Sequence, residues 1–498
     1  MSDVRITGAP LAPGEVLAVA RGGARVVLDG SARTALAEGR AVVDRLAAAP
    51  TPAYGVSTGF GALATRHIPV ESRAQLQRSL VRSHAAGMGR PVEAEVVRGM
   101  MALRLRTLCT GRTGVRPVVA ETLAALLNAG VTPAVPEHGS LGCSGDLAPL
   151  AAVALALMGE GETGPLLAAA GIEPVVLEEK EGLALINGTE GMLATLVLAV
   201  ADLAALLTAA DVAAAMSVEA LLGTDRTFAA DLQALRPHPG QAASAANLRA
   251  LLDGSPIVAS HREGDTRVQD AYSLRCAPQV HGAARDTLDH ARLVASRELA
   301  AVIDNPVVLP DGRVESNGNF HGAPVGYVLD FLAVAVADVG AMSERRTDRL
   351  LDKGRSHGLP PFLADDPGVD SGLMIAHYTA AGMVAENRRL AVPASADSLP
   401  TSAMQEDHNS LGWGAARKLR RAVDNLRRIL AVELVCAARG LDLRAPLAPA
   451  AATGRVRDAL RAVVPGPGPD RWLAPELAAA EAWLRDADLT EVAGVVLA

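Results

Sequence analysis

The sequence predicts a mainly α-helical protein, a long central helical bundle with a smaller mixed domain at its N-terminal end. Three observations carry that expectation. Half of the 498 residues are hydrophobic, enough for an extensive core. Only 2% are aromatic, 5 Phe, 3 Trp and 4 Tyr, so Ala, Leu and Val must fill that core, which suits closely packed helices better than a β-sandwich. From Ser72 onward apolar residues recur at helical spacing over long stretches. The expected division is an N-terminal domain over 1–110 and a central and C-terminal bundle over 111–498.

Residues 1–70 are the least helical in pattern, with short segments such as 25–28 and 54–56 set among Gly, Pro and Thr. In RAQLQRSLVRSHAAGMG, Leu76, Leu80 and His84 fall on one helical face and Arg78 and Arg82 lie away from it. Gly87, Gly89 and Pro91 then stop the helix. Further helices are expected at about 93–108, 117–128, 147–158, 189–222, 285–301, 323–350 and 411–438. The last carries Leu419, Val423, Leu426 and Leu430 as an apolar stripe against an Arg-rich face. Gly, Pro and polar residues mark 253–267, 353–371 and 465–470 as loops. The most apolar stretch, 192–216, is interrupted by Asp202 and Asp211 and reads as a buried core helix rather than a membrane span.

Charge and cysteine usage narrow the function classes. The balance is 47 basic to 55 acidic residues, a net charge of −8, without the basic footprint of a nucleic-acid binder. Cys109, Cys143, Cys276 and Cys436 are widely spaced with no CxxC pair, so reduced thiols in the cytoplasm are expected rather than a disulfide scaffold or zinc site. The start MSDVRITGAPLAPGEV lacks a basic run followed by an apolar core and does not read as a signal peptide. No metal-ligand constellation is visible, and no metal, membrane or nucleic-acid partner is expected.

The richest chemical segment is GSLGCSGDLAPL, residues 139–150. Its ordinary reading is a tight turn before an apolar helix, with Asp146 as N-cap and Pro149 tolerated in the first turn. A sharper reading follows from Ser144-Gly145 in a cramped turn. The Gly145 nitrogen, unhindered by a side chain, can attack the Cys143 carbonyl, and loss of water closes a five-membered imidazolone. A second water lost from Ser144 leaves an exocyclic methylidene, a strong carbon electrophile. A helix N-terminus alongside favours negative charge developing on that ring.

This segment resembles the one from which the histidine and phenylalanine ammonia-lyase family forms its 4-methylidene-imidazol-5-one (MIO) group. The resemblance runs from about residue 5 to beyond 480 and departs from the family mainly at Cys143, where Ala is common, and Met404, where Asn is frequent. Only the backbone of residue 143 enters the ring, so cysteine should permit cyclisation. The resemblance implies an MIO made autocatalytically from Cys143, Ser144 and Gly145, with no external cofactor.

Other motifs match in order. YGVSTGFG (54–61) is similar to the family's N-terminal active-site loop, which makes Tyr54 the base for the substrate's β-proton; a phenol near its reference pKa of about 10 must be ionised by its surroundings to serve. His84 alone reads as a satisfied core histidine; by resemblance it contacts the substrate ring in histidine-specific members. Asn187, in LINGT, is otherwise a strand or turn end; its family counterpart helps hold the substrate carboxylate. VQDAYSLRCAPQ (268–279) adds Arg275 as a forked carboxylate partner, Tyr272 in proton traffic and Gln269 lining the site. On residues alone this is a surface loop in which Tyr272 and Arg275 share a helical face. Asp304-Asn305-Pro306 and NGNFHG (317–322) are turn signals; by resemblance Phe320 walls the ring pocket.

AMQEDHNS (403–410) precedes the expected 411–438 helix, where acids commonly balance the dipole. Histidine-specific members carry Glu at the position of Glu406 and phenylalanine-specific ones usually Gln. A carboxylate facing an imidazole N–H makes a charge-assisted bond that a benzene ring cannot use. The implied activity is therefore elimination of ammonia from L-histidine to give trans-urocanate, in a homotetramer whose sites draw residues from three subunits. A tyrosine ammonia-lyase or an MIO-dependent aminomutase is the nearest alternative. A non-catalytic helical assembly protein is the other, opposed by the intact Ser144-Gly145-Asp146 and Tyr54.

Overall fold

The computed structural model describes residues 3–59 and 65–498 and is built mainly of helices. Small aliphatic side chains fill its interior, and among the described aromatic residues only Phe228 and Trp413 are fully buried. Helices at Ala94–Leu108, Pro117–Asn128, Leu147–Leu157, Glu190–Ala220, Ala323–Leu351 and Gly412–Leu443 match the periodicity closely. The Ala277–Ala300 helix begins earlier than its pattern suggested. Pro278 and Gly282 look like breakers, but proline is tolerated in a first turn, and a Cβ at Gly282 would come within 2.4 Å of the Gln241 backbone.

The residues gather into two compact units. One comprises Met1–Ala199, Ala291–Asp330 and Pro393–Arg417. Within it Val4–Ile6 pairs in parallel with Val26–Leu28, and Met88–Pro91 pairs antiparallel with Pro136–His138. The expectation of little helix before residue 70 is corrected by Pro13–Ala20 and the 19-residue Gly30–Ala48. The pattern was masked by three internal or terminal Gly and Ser positions (Gly30, Ser31 and Gly39), whose propensity is poor and whose place here is set by capping and close packing. Residues 54–57 form a turn.

The Val70–His84 helix also departs from its expected face. Its buried residues are Arg73, Gln77, Leu80 and Val81, with Leu76 and His84 only half-buried at the margin. Polar partners decide this: Arg73 donates to the Ala47 carbonyl at 2.7 Å, and Gln77 accepts from the Gly182 amide at 3.0 Å.

The second unit comprises Val200–His290, Phe331–Val392 and Lys418–Ala498. The expected stripe of Leu419, Val423, Leu426 and Leu430 is wholly buried, but the Arg-rich face is not simply solvated. Arg420 pairs with Asp202 at 2.7 Å. Asp211 in turn accepts from Asn247 and Arg285, both at 2.8 Å, and lies 2.7 Å from His281. Length and composition alone would let Glu181–Ala220 cross a membrane, yet Asp202 and Asp211 within it are ion-paired inside this unit.

A third polar knot joins three helices. Glu433 accepts from Arg346 Nη2 at 2.8 Å and from Ser217 at 2.7 Å, with Glu433 and Arg346 both fully buried. Truncating one partner of such a pair strands the other charge. Glu433→Ala is expected to cost about 3–5 kcal/mol, read as a fall in the denaturant midpoint.

Candidate active site

The turn after Ser140 is shaped by glycine. Gly142 and Gly145 have φ of +65° and +80°, a region that side chains disfavour. A Cβ on Gly145 would also lie 2.1 Å from the Gly188 carbonyl oxygen. The two backbones meet there, and the Asp146 amide donates to that same oxygen at 2.6 Å. Residues 143–145 are thereby wedged against the 187–190 corner.

Asp146 sits at the N-terminus of the Leu147–Leu157 helix as expected, but its carboxylate does not cap that helix. Oδ1 accepts from Ser140 Oγ at 2.8 Å and Oδ2 from the Met192 amide at 2.9 Å, so it caps the Glu190–Ala220 helix instead. Burial pushes this carboxyl up to about 7, against the opposing pull of those hydrogen bonds.

Ser144 Oγ donates to Asn187 Oδ1 at 3.0 Å. Asn187 ends the short Glu181–Ile186 helix, and its Nδ2 donates to the Asn305 carbonyl at 2.9 Å. That carbonyl belongs to the expected turn pair. Asn317 donates from its amide to Asn305 Oδ1 and from Nδ2 to the Asp304 carbonyl, both at 3.0 Å. Tyr54, half-buried, precedes Gly55, where a Cβ would lie 3.0 Å from Pro306 and 3.1 Å from Leu183. The Tyr54 turn thus packs beside the same corner. The Phe60-Gly61 end of its motif lies outside the described residues.

The 403–410 segment closes on the turn from another side. Ser410 Oγ donates to the Gly142 carbonyl and the Leu411 amide to the Leu141 carbonyl, both at 2.8 Å. The Gly322 amide donates to the Gly142 carbonyl at 3.2 Å, which brings half-buried Phe320 into the neighbourhood. Glu406 and Asp407 are not in a first helical turn, since the helix starts at Gly412. Glu406 Oε2 lies 3.4 Å from Cys143 Sγ and 2.9 Å from Thr401 Oγ1. Burial pushes the Cys143 thiol up to about 12, and the Glu406 carboxylate adds to the effect.

His84 Nδ1 lies 2.9 Å from the Leu80 carbonyl, which can only accept. Nδ1 therefore carries the proton, and in the neutral ring Nε2 is an acceptor. Burial lowers the His84 pKa, partly countered by that carbonyl and by the nearby Glu406 charge. His84, Cys143 and Glu406 are therefore one electrostatic neighbourhood, gathered from distant parts of the chain.

Gln269, Tyr272 and Arg275 lie in the other unit. Arg275 donates to Gln269 at 2.6 Å and stands 4.7 Å from the Tyr272 ring centre, so the shared face is real. Tyr272 is 70% exposed. Buried Arg346 donates to the Ser273 carbonyl at 3.3 Å, anchoring this short Tyr272–Arg275 helix to the Glu433 knot.

Sequence reasoning missed the groups that brace the corner. Arg104 donates to the carbonyls of Ala184 at 2.8 Å and Ile303 at 3.0 Å and to Glu190 at 2.9 Å. Lys180 pairs with Asp304, both fully buried. An arginine inside the apolar run MALRLRTL was a usable signal for Arg104. Thr401 gave none. Its link to Glu406 depends on Ser402, Ala403 and Met404, whose φ values of +52°, +51° and +70° make a left-handed turn of non-glycine residues.

The model of the family described as aromatic amino acid lyase matches residues 11–462. A histidine ammonia-lyase of Streptomyces avermitilis is 67% identical, over 97% of this chain and 96% of that protein. One from Deinococcus radiodurans is 49% identical, over 96% and 93%. Among solved structures, a histidine ammonia-lyase from Trypanosoma cruzi matches at a TM-score of 0.91 and 39% identity, covering 99% of this chain and 95% of that one. A tyrosine aminomutase from Streptomyces globisporus matches at 0.92 and 37%, covering 99% and 98%.

Two outcomes test this geometry. Asp146 holds its proton to about 7 when folded but to roughly 4 when unfolded. Its contribution to stability is thus complete below about pH 4 and is lost as pH rises through about 7. Asp146→Asn should flatten the fall in melting temperature across that window. Met404 is 67% exposed in its left-handed conformation, which asparagine adopts more readily. Met404→Asn should stabilise the chain by about 1 kcal/mol, measured by chemical unfolding.

Proposed function

The chain belongs to the aromatic amino acid lyase family, and we infer from that membership that it is an ammonia-lyase acting on L-histidine, releasing ammonia and trans-urocanate in the first step of histidine degradation. The observation that carries this is the 67% identity to a histidine ammonia-lyase over nearly the whole length of both chains. The acceptor pair of His84 and Glu406 is in keeping with it, because an imidazole can use such partners and a benzene ring cannot. The tyrosine aminomutase likeness is structural and comes at lower identity.

The Cys143–Gly145 turn fits the formation of an MIO. Gly145 has no room for a side chain, its nitrogen is free of one, and the Ser144 hydroxyl is held by Asn187. Once formed, the group supplies a carbon electrophile that makes the amino group of the substrate a better leaving group, which ordinary side chains do poorly.

The rest falls to the chain's own side chains. Tyr54 takes the β-proton, a role that the packing of the adjoining Gly55 against Pro306 and Leu183 supports. Asn187, locked by the Asn305 carbonyl, presents its amide to the substrate carboxylate, and Arg275 supplies the forked positive partner. His84 and Glu406 orient the imidazole, Phe320 walls it, and Gln269 and Tyr272 complete the site. The exposure of Tyr272 supports a homotetramer in which these last residues serve a site shared between subunits. Four cysteines without a disulfide are compatible with a cytoplasmic protein.

Intact mass and turnover test the reading together. The active protein should weigh two waters less than its sequence and deaminate histidine in preference to tyrosine and phenylalanine. Ser144→Ala should restore the full mass and remove nearly all turnover while leaving the circular-dichroism spectrum unchanged. Turnover of tyrosine with none of histidine would overturn the assignment, as would wild-type-like activity in Ser144→Ala.

A further inference from the structure

Glu406 is reached from two directions, and both contacts fall on the same oxygen. The Cys143 thiol donates to Oε2 at 3.4 Å and the Thr401 hydroxyl donates to Oε2 at 2.9 Å. Among the described residues neither donor reaches Oε1. A carboxylate fixed through one oxygen is left with the other as its acceptor for a ligand. Resting on the histidine reading above, we propose that Cys143 and Thr401 are positioning residues that set the specificity of the site, clamping Glu406 so that Oε1 faces the N–H of the substrate imidazole.

The surroundings suit that task. The thiol is buried and keeps its proton, so it stays a donor and does not become a second negative charge against Glu406. Thr401 is itself tied to Glu406 through paired backbone bonds, Thr401 amide to Glu406 carbonyl at 2.9 Å and the reverse at 3.2 Å. Asn409 Nδ2 donates to Thr401 Oγ1 at 3.2 Å, which directs the threonine proton toward the carboxylate. The left-handed turn of Ser402–Met404 between the two partners is the conformation that allows this closure. Backbone strain of this kind persists where surrounding contacts over-determine it. Alanine at position 143 would keep the ring-forming backbone but remove one of the two donors.

The test begins with wild-type kinetics on histidine and phenylalanine, since failure to deaminate histidine would remove the underlying reading rather than the clamp. Thr401→Val and Cys143→Ala are then compared with Thr401→Ser and Cys143→Ser, with intact mass confirming that the ring has formed. A lost hydrogen bond to the carboxylate is expected to raise KM for histidine roughly three- to tenfold. In Thr401→Val kcat should change much less than KM, and phenylalanine turnover, which has no use for Oε1, should not fall in parallel. The serine variants should recover most of the loss, because each restores a donor. Unchanged KM for histidine in both Thr401→Val and ring-bearing Cys143→Ala would overturn the clamp. Equal losses on histidine and phenylalanine without rescue by serine would reduce both residues to a structural role and overturn it as well. If Cys143→Ala fails to form the ring, the threonine pair alone decides.

Discussion

The close approach of two backbone turns governs the candidate site. Residues 143–145 can lie against the 187–190 corner only because Gly145 lacks a side chain and meets the Gly188 carbonyl directly. From that contact follow the placement of Ser144 on Asn187, the reach of Asp146 to the Met192 amide and the anchoring of Asn187 on Asn305. No flexible side chain sits in this contact, so the geometry is held by peptide planes, which have little freedom to adjust.

Such a wedge has to be backed by something stiff. Behind it stand two cations, Arg104 and Lys180, and two carboxylates, Glu190 and Asp304, all buried. Buried ion pairs are a poor way to gain stability, because desolvation offsets much of their attraction. They are a good way to fix carbonyls in space, and Arg104 does this for Ala184 and Ile303, one on each strand of chain that leads into the corner. The aliphatic interior elsewhere supplies bulk stability without direction. Direction comes from these few polar knots.

The helical body was legible because its signal is local and repeated: small apolar residues at helical spacing over 15 or more positions, as in Ala94–Leu108 and Glu190–Ala220. It failed where a residue's usual preference and its tertiary role differ, as for Gly39 inside Gly30–Ala48 and Gly282 inside Ala277–Ala300. The site motifs were legible as types of chemistry, and Cys143, His84 and Glu406 do converge. The groups between them were not. Thr401 acquires its role only through a turn with three left-handed residues that no side-chain pattern announces. Asp146 was placed correctly at a helix start, but the helix it caps is another one, since capping partners are chosen by proximity in space. Gln269, Tyr272 and Arg275 form a cluster of their own in the second unit, where their helical spacing was legible and their hydrogen-bond partners were not.

The scarcity of rings has an optical consequence. Of three tryptophans, Trp472 is 80% exposed and Trp483 half-buried, whereas Trp413 is 2% exposed. Its indole N–H donates to the Glu137 carbonyl at 2.7 Å, and a Cβ built on Gly191 would touch both its ring, at 2.6 Å, and the Asp146 carboxylate, at 3.0 Å. The one shielded indole thus stands where the wedge meets the helix that Asp146 caps. An indole shielded from water emits at shorter wavelength than an exposed one, so the blue edge of this protein's tryptophan fluorescence is expected to come from Trp413 and to follow the state of the turn beside it.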